Sequence, residues 1–371
     1  MPDWAAIRQE YPALAGRTFL NTATFGQLSR RAVAAMHAHL ERRQKTACGD
    51  FLSWFDDHDR LRSKLARLIR ADAADIAFVP NAAAALGLLT SGIDWREGDE
   101  IAILENEFPN QIYAPKHIAA RGVTLREEPW PGFLDAITPR TRLVSVSSVN
   151  YSTGFRVPLE PVARRCRETG ALFYLDGTQS CGALDFDFTA IQPDMFSVNC
   201  YKWMLAPNGA AFMAVHPRLR ERLAPLSIGW RSHEGWRNVD NLHQGAPVFK
   251  TSAEKYEGGM LPSVVLYALE ASVDFLLETG LGAIEARDLA LAAEVRAAAA
   301  RLGGESLPFT DSAIAALRFE GADSSALARA LKARDIQVSA RYGLLRVSTH
   351  FYNDSSDVEN FESALRAELR R

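Results

Sequence analysis

Short apolar segments of strand length recur through the first two-thirds of the chain, and helical patterns separate most of them. Such alternation is typical of a doubly wound sheet with helices on both faces. The sequence therefore predicts an α/β fold whose large domain, residues 14–255, holds a seven-stranded, mostly parallel sheet. The predicted strands are residues 76–79, 100–104, 123–126, 142–147, 172–175, 195–198 and 210–215.

The pattern changes after Leu261, where longer helical segments surround a few short strands. We expect a small α+β domain built from residues 256–371, joined by an N-terminal helix at residues 1–13. A short strand-like segment, residues 17–21, follows that helix. The predicted elements of the C-terminal part are helices at 262–279, 281–302, 324–333 and 355–371 and strands at 314–319, 336–339 and 344–348.

The size, charge and cysteine content of the chain narrow its possible functions. With 371 residues, 47% of them hydrophobic, it can bury a large core. A net charge of −3 gives no reason to expect a nucleic acid or an anionic membrane as partner. The four cysteines show no paired spacing, which predicts a reduced, cytoplasmic protein. No apolar run approaches the ~20 residues of a membrane span, and no histidine shows metal-ligand spacing.

A carboxylate and a lysine follow two neighbouring predicted strands. Asp176 ends one strand, and carboxyl ends of such strands line the ligand-binding crevice of open α/β sheets. Lys202 comes 26 positions later between aromatic residues, where lost hydration would lower its pKa and favour attack on a carbonyl. Taken singly, these residues read as a turn cap and a surface lysine. Together they match the needs of pyridoxal 5'-phosphate (PLP), which takes a Schiff-base lysine and an acid beside its ring nitrogen.

The motifs around this pair resemble the class V aminotransferase family of fold-type I PLP enzymes, over nearly the whole chain. That family carries D-x-x-Q and, later, a lysine preceded by His or Tyr, here Asp176, Gln179 and Tyr201-Lys202. The Y-K-W version, with Phe108-Pro109 and the segment VNYSTG at 149–154, is similar to the kynureninase-like and isopenicillin N epimerase-like branches. The cysteine desulfurase-like branch belongs to the same family. The resemblance implies a homodimer with a shared active site.

The resemblance also implies which residues bind the cofactor phosphate. The family binds it at the turn before the first helix of the sheet, so backbone groups of Ala82 and Ala83 are expected to contribute. Asn199 stands in place of a usual serine, and Tyr201 is expected to offer its phenol. Gly259 lies in a segment, Glu257-Gly258-Gly259-Met260, by which the neighbouring subunit touches the phosphate. Alanine at 83 and methionine at 260 replace hydroxyl residues, so the phosphate site has fewer hydroxyls than usual.

Two residues are expected beside the cofactor ring. Phe108 takes the place of an aromatic residue or histidine that stacks on the pyridine, although a loop phenylalanine before proline can also be a plain core residue. Gln179 is expected to hydrogen-bond the 3′-oxygen of the ring. The family resemblance also implies that the partner subunit reaches this pocket, and the candidates for doing so are Trp230, Gln244 and the turn at Glu257.

Three further residues are expected to bind the substrate. Arg346 resembles the arginine with which the family grips the α-carboxylate, and its plain alternative is an ion pair with an acid such as Glu362. Asn150 is a weaker candidate for the substrate or the ring oxygen. Asn21 matches a polar contact from the family's N-terminal loop, and it can equally make a local turn.

The reaction type stays open at the level of sequence. Desulfurases of this family carry a nucleophilic cysteine before the C-terminal arginine strand, and residues 340–343 contain none. Kynureninase itself is disfavoured because its D-x-x-H is D-x-x-Q here. We favour a β-elimination (C–S) lyase acting on an α-amino acid, with aminotransferase, epimerase and kynureninase-type activities as alternatives. A binding or regulatory subunit without turnover is the non-enzyme alternative, which retention of Lys202, Asp176 and Arg346 opposes.

Overall fold

The computed structural model describes residues 2–308 and 310–370. Its strands are β1 Thr18–Phe19, β2 Ile76–Val79, β3 Glu100–Leu104, β4 Thr124–Glu128, β5 Thr141–Ser147, β6 Leu172–Asp176, β7 Met195–Asn199, β8 Ala211–Val215, β9 Glu305–Ser306, β10 Ile314–Arg318, β11 Ile336–Gln337, β12 Ser339–Arg341 and β13 Leu344–Ser348.

The α-helices vary from single turns to rods of twenty residues. They are α1 Trp4–Gln9, α2 Arg30–Thr46, α3 Phe51–Ile69, α4 Ala82–Gly92, α5 Pro109–Ala119, α6 Phe133–Ala136, α7 Leu159–Thr169, α8 Phe188–Ile191, α9 Pro217–Arg220, α10 Ser263–Thr279, α11 Leu281–Ala300, α12 Ser324–Lys332 and α13 Ser355–Leu369. None of these helices, taken over the described residues, is long and apolar enough to cross a membrane.

The large sheet has the order β2-β8-β7-β6-β5-β3-β4. The prediction of seven strands is confirmed, and the predicted bounds agree within two residues. Strands β7, β6, β5, β3 and β4 are parallel, whereas β8 runs antiparallel to both of its neighbours. The connection from β7 to β8, residues 200–210, contains no helix, so the chain turns back instead of crossing over. This return places the predicted cofactor lysine in the loop between the two strands.

Both faces of the central sheet are covered. Ile101 and Ile103 of β3 enter one hydrophobic core, whereas Ala102 and Leu104 enter another. Side chains alternate between the faces of a strand, so a strand with apolar residues at every position needs two cores. Polar side chains at the carboxyl ends of these strands therefore lie where the apolar packing ends, which is where the candidate site is built.

Outside the large sheet, the strands form a four-stranded sheet of order β12-β13-β10-β9 and a parallel pair, β1 with β11. The predicted strand at 336–339 is wrong as a single element. It divides into β11, which pairs with β1, and β12, which pairs with β13, because the chain changes sheets at Val338. The predicted N-terminal helix is shorter, covering only α1 and a following 3-10 turn. The predicted strand at 17–21 shortens to β1 with a bridge from Asn21 to Ser348.

The ends of the predicted small domain include Met1 and Arg371, which lie outside the described residues. The division at residue 14 remains a proposal, since β1 follows that boundary in sequence and yet pairs with a small-domain strand. A partly buried ion pair from Arg8 of α1 to Asp357 of α13, at 2.7 Å, attaches the N-terminal segment to the closing helix. The first residues of the chain therefore pack with its last helix.

Candidate active site

Asp176 and Lys202 lie at the carboxyl edge of two adjacent strands. Asp176 is the last residue of β6 and pairs with Ser197 of β7, after which the chain leads to Lys202. Both side chains are buried, at 5% and 7% exposure. Burial lowers the pKa of the Lys202 amine to about 8. The Asp176 carboxylate raises this pKa, whereas the charges of Arg346 and Arg341 lower it. The amine and the carboxylate interact through space without a direct ion pair.

The Asp176 carboxylate is aimed by the turn that follows it. The backbone N–H of Thr178 donates to Asp176 Oδ1 at 2.8 Å, and the Thr178 hydroxyl accepts the backbone N–H of Asn199 at 3.0 Å. Burial raises the pKa of Asp176, while these donors and Lys202 oppose that rise. A buried carboxylate of this kind is stabilised by a cationic N–H group, which a protonated pyridine supplies. The site therefore fits the ring of PLP.

Glu107 is a second buried acid, close enough to Asp176 for the two charges to interact, and the sequence alone did not reveal it. Both oxygens of Glu107 accept hydrogen bonds from Ser147, one from its backbone N–H and one from its hydroxyl, each at 2.6 Å. The Gln111 side chain donates to the Ser147 hydroxyl at 2.8 Å and also lowers the pKa of Asp176. Burial raises the pKa of Glu107 to about 7, and the charge on Asp176 adds to this rise.

Replacing Glu107 with glutamine should change how stability depends on pH. The folded-state pKa of Glu107 lies above its ordinary 4.5, so the stability it contributes is present below pH 4.5 and lost as the pH rises through about 7. As the pH rises from 5 to 8, we expect wild type to lose about 2 kcal/mol of unfolding free energy relative to Glu107→Gln, which has no carboxyl group to ionise at this position. Denaturant unfolding of both cofactor-loaded proteins at the two pH values measures this difference. An unchanged difference would contradict the buried, protonated state.

The aromatic residue predicted beside the cofactor ring does lie next to the lysine. The Nζ atom of Lys202 is 5.5 Å from the centroid of the Phe108 ring and 5.8 Å from that of Tyr201. Phe108 immediately precedes α5 and contacts Tyr151 edge to face, with centroids 5.2 Å apart. The structure thus brings Phe108, Tyr201 and Lys202 together, and stacking of Phe108 on a bound ring stays a prediction.

The expected phosphate turn is present, with one of its donors already bonded. Asn199 Oδ1 accepts the backbone N–H of Ala82 at 3.0 Å, and Asn81 caps the same helix through the N–H of Ala84 at 2.9 Å. The N–H of Ala82 is therefore not directed to a ligand in this arrangement, whereas Ala83 is exposed at the second position of α4. A phosphate contact from Ala82 requires Asn199 to move. Asn81 and Asn199 thus accept two of the backbone N–H groups at the N-terminus of α4.

The Gln179 side chain connects three parts of the site. Its Nε2 donates to the backbone oxygen of Ala23 at 3.1 Å, and its Oε1 accepts the indole N–H of Trp203 at 2.8 Å. One amide hydrogen remains for the ring oxygen that the sequence predicted as its partner. Gln179 therefore also positions Trp203, the residue after Lys202, against the N-terminal loop.

Arg346 is buried, with 1% exposure, and hydrogen-bonds only neutral oxygens among the described residues. Its guanidinium donates to Ser339 Oγ at 3.0 Å, to the backbone oxygen of Tyr151 at 2.6 Å, to Thr24 Oγ1 at 2.5 Å and to Asn21 Oδ1 at 3.4 Å. Burial, followed by the charge of Arg341, holds the pKa of Arg346 below its usual range. A buried cation without a counter-charge is a strong candidate for binding an anion.

The plain alternative for Arg346, an ion pair with Glu362, is wrong. Glu362 pairs with Arg301 and, at 2.7 Å, with Arg366 on the outer side of the closing helix. Those three residues form a partly exposed surface network instead. Asn21 contacts Arg346 at 3.4 Å, while its bond with the Thr24 hydroxyl, at 2.8 Å, belongs to the local turn that was its alternative role, so contact with a substrate stays a prediction.

Asn150 is engaged within its own loop. Its Oδ1 accepts the backbone N–H groups of Ser152 and Thr153, and its Nδ2 donates to the backbone oxygen of Asn106 at 2.9 Å. These bonds shape the turn that carries the Tyr151 oxygen to Arg346. Direct contact of Asn150 with a substrate stays a prediction that these bonds do not support.

The segment predicted to reach a neighbouring subunit is anchored by a buried acid. Glu257 accepts hydrogen bonds from Arg62 and Arg231, each at 2.8 Å, and from the backbone N–H of Phe78 at 3.0 Å. The backbone oxygen of Gly259 accepts from Arg231 at 3.2 Å. Glu257 is thus a structural anchor, and Met260 beyond it is 55% exposed.

The other two residues suggested for cross-subunit contact pack locally. Trp230 makes an edge contact with Trp236, at a centroid distance of 5.3 Å. Gln244 donates to the backbone oxygen of Gly235 at 2.9 Å and contacts His233 at 3.2 Å. Over the described ranges, no group of three or more His, Cys, Asp or Glu side chains is placed to hold a metal ion.

Comparison with known proteins gives a consistent family assignment. The family model described as "Aminotransferase class-V" matches residues 34–361. Isopenicillin N epimerase of Streptomyces clavuligerus is 28% identical, with 94% of each chain covered. A probable cysteine desulfurase of Methanothermobacter thermautotrophicus is 23% identical, with 95% of each chain covered.

Solved structures show the same fold at low sequence identity. The cystine C–S lyase C-DES, in complex with cysteine persulfide, has a TM-score of 0.87 at 21% identity, covering 96% of this chain and 99% of its own. A cysteine desulfurase from Thermococcus onnurineus has a TM-score of 0.89 at 17% identity, covering 100% and 99%. The expected fold is therefore confirmed over the whole length.

Proposed function

The chain belongs to the class V aminotransferase family, whose cofactor is pyridoxal 5'-phosphate, and from this premise we propose that it is a C–S lyase acting by β-elimination on an α-amino acid. The observation that carries the proposal is the arrangement of three buried groups. The Lys202 amine interacts electrostatically with the Asp176 carboxylate without an ion pair, and Arg346 lacks any acid partner in the described chain. A catalytic amine, an acid for the ring and a carboxylate site are the parts that such chemistry needs.

We assign the cofactor contacts as follows. Asp176 would hold the ring nitrogen, Phe108 would pack on the ring, and Lys202 would bond to its aldehyde. Asn199 contacts the helix N-terminus expected for the phosphate, and Tyr201, whose ring lies 5.8 Å from the Lys202 amine, would add its phenol. When bound, the cofactor supplies an electron-accepting ring that stabilises negative charge at the substrate Cα.

The protein's own groups supply positioning and proton transfer. Arg346 would hold the α-carboxylate with its guanidinium fork after Thr24 and Asn21 release its Nη2 atom, and this contact fixes the Cα–H bond relative to Lys202. An amine with a pKa of about 8 loses its proton near physiological pH, so Lys202 is suited to remove the Cα proton as a general base. Burial of both residues excludes water from the reacting atoms.

Elimination is favoured over transfer of sulfur to a cysteine of the enzyme by the hairpin before Arg346. Strands β12 and β13 are joined only by Tyr342 and Gly343, so there is no loop that carries a nucleophilic cysteine. The thiols of Cys181 and Cys200 are buried, and burial raises the pKa of both, which leaves them unreactive. The similarity to a cystine C–S lyase structure is consistent with this choice.

Epimerisation is the second candidate, because isopenicillin N epimerase of Streptomyces clavuligerus matches almost the full length. Both reactions begin with loss of the Cα proton, and they differ in what happens next. The test is incubation of the holoenzyme with cysteine conjugates and other amino acids in deuterated water. Release of pyruvate and a thiol supports the lyase. Deuterium at Cα with inverted configuration and no pyruvate would replace it with the epimerase.

We further infer that the active protein is a homodimer. Large apolar side chains are exposed along one stretch of the chain that includes the anchored segment at Gly259: Leu226, Ile228, Leu242, Val248 and Met260. Exposed apolar residues in such number are typical of a surface that a partner covers. Sedimentation velocity should give a dimer, and a fully active monomer would contradict this inference.

A further inference from the structure

A second arginine lies on the same sheet face as Arg346. In the hairpin of β12 and β13, Ser339 pairs with Arg346 and Arg341 pairs with Leu344. Paired residues, and residues two apart on a strand, point to the same face of a sheet. Arg341 is therefore the diagonal cross-strand neighbour of Arg346, and Cβ atoms in that relation are roughly 7 Å apart.

Arg341 also lacks an acid partner within the part of the chain that the structure describes. Its guanidinium donates only to the backbone oxygen of Ala340, at 2.7 Å. Its charge is among the causes, after burial, that lower the pKa of both Arg346 and Lys202. Three cationic groups thus meet at one site, and like charges held together in this way favour binding of anions.

The tip of the hairpin is fixed above the site. Tyr342 and Gly343 both have positive φ, at 47° and 77°, as a two-residue hairpin turn requires. The hydroxyl groups of Tyr342 and Tyr151 are 2.6 Å apart, and Tyr151 packs edge to face on Phe108. Arg341, the residue before this tip, is therefore held near the aromatic ring that adjoins Lys202, while its side chain stays partly exposed.

We propose that Arg341 binds a second, negatively charged group on the substrate side chain, so that the preferred substrates are α-amino acids with a side-chain carboxylate. This inference rests on the proposed function and names the substrate class of the same site. Arg346, buried and fourfold bonded, takes the α-carboxylate. Arg341, partly exposed at the edge of the site, takes the distal carboxylate, which reaches it past the reacting Cβ.

The competing arrangement is that both arginines grip one α-carboxylate. The two arrangements differ in a measurable way. If both arginines bound one carboxylate, loss of Arg341 would weaken every amino acid equally. If Arg341 binds the distal group, its loss weakens only those amino acids that carry a distal charge.

The test uses a pair of ligands that differ in one charge, S-carboxymethyl-L-cysteine and its uncharged amide, S-carbamoylmethyl-L-cysteine. Their affinities are measured by titrating the visible spectrum of the holoenzyme, and elimination is followed by pyruvate release. We expect wild type to bind the acid about tenfold more tightly than the amide, since a charge-assisted hydrogen bond of this kind is lost with the amide. Arg341→Ala and Arg341→Gln should bind the two equally and should keep the wild-type affinity for the amide.

Arg318→Ala is the matched control, because Arg318 is an exposed arginine on the neighbouring β10 and should leave the preference unchanged. The inference is overturned if wild type shows no preference for the acid, if Arg341→Ala retains the preference, or if that variant weakens both ligands equally. If wild type still cleaves the amide in these cases, the proposed function stands while the inference about Arg341 falls. If neither ligand changes the spectrum or yields pyruvate in wild type, the proposed function itself fails.

Discussion

Replacing Lys202 with alanine should abolish turnover, with a fall of about 10³-fold or more, and should remove covalent attachment of the cofactor. The reason is that one buried amine is proposed to serve both as the attachment point and as the base for the Cα proton. Its pKa of about 8 arises chiefly from burial, so no exposed lysine has an equivalent state. The measurement is steady-state pyruvate release together with the visible spectrum after gel filtration.

Lys255→Ala is the matched control for that experiment. Lys255 is also buried, at 8% exposure, burial also lowers its pKa, and its amine donates to the backbone oxygen of Arg220. It lies outside the proposed site, so its loss should leave cofactor retention and turnover close to wild type. Retention of turnover by Lys202→Ala would contradict the assigned role.

Replacing Arg346 with alanine should weaken binding of the substrate by about 2–5 kcal/mol, which is the cost of removing one partner from a buried charge pair. The effect should appear as a higher KM and a higher dissociation constant. The guanidinium is buried and bonded only to neutral oxygens, so the α-carboxylate is its sole expected counter-charge. Arg346→Lys should recover only part of the loss, because an ammonium group cannot form the bidentate fork.

A ligand without the α-carboxylate separates this role from a purely structural one. An amine analogue such as S-carboxymethyl-cysteamine should bind wild type and Arg346→Ala with similar affinity. If the variant lost affinity for this analogue as well, the arginine would be acting through the packing of Ser339, Tyr151 and Thr24. Arg301→Ala, at an exposed ion pair with Glu362, serves as the control and should change neither affinity.

The parts of the site that sequence could predict are those that strand ends determine. Asp176 and Lys202 follow the apolar runs of β6 and β7, and parallel neighbours necessarily bring their carboxyl ends to one edge. Arg346 was predicted because the segment at 344–353 resembles the ending in which the family has its carboxylate-binding arginine. Six of the seven strands of the large sheet were predictable because each is a short, mostly apolar run between turns, whereas β4 is a polar strand at the sheet edge.

The parts that sequence could not predict depend on which partner a polar side chain finds after folding. Glu107 and Ser147 are 40 positions apart, and nothing in either local segment indicates a shared buried network. The bond from Ala82 to Asn199, 117 positions apart, is of the same kind. Arg341 was missed for two reasons. Only the register of β12 against β13 places it beside Arg346, and the predicted strand ended at residue 339, before Arg341.

The most direct test of the central claim is to reduce the PLP-loaded protein with borohydride and to map the cofactor by peptide mass spectrometry. We expect a single modified lysine, Lys202, and no stable adduct in Lys202→Ala. The Lys202 amine is buried beside Phe108 and interacts electrostatically with the Asp176 carboxylate. A protein that takes up no cofactor, or that carries it on another lysine, would contradict the proposed active site.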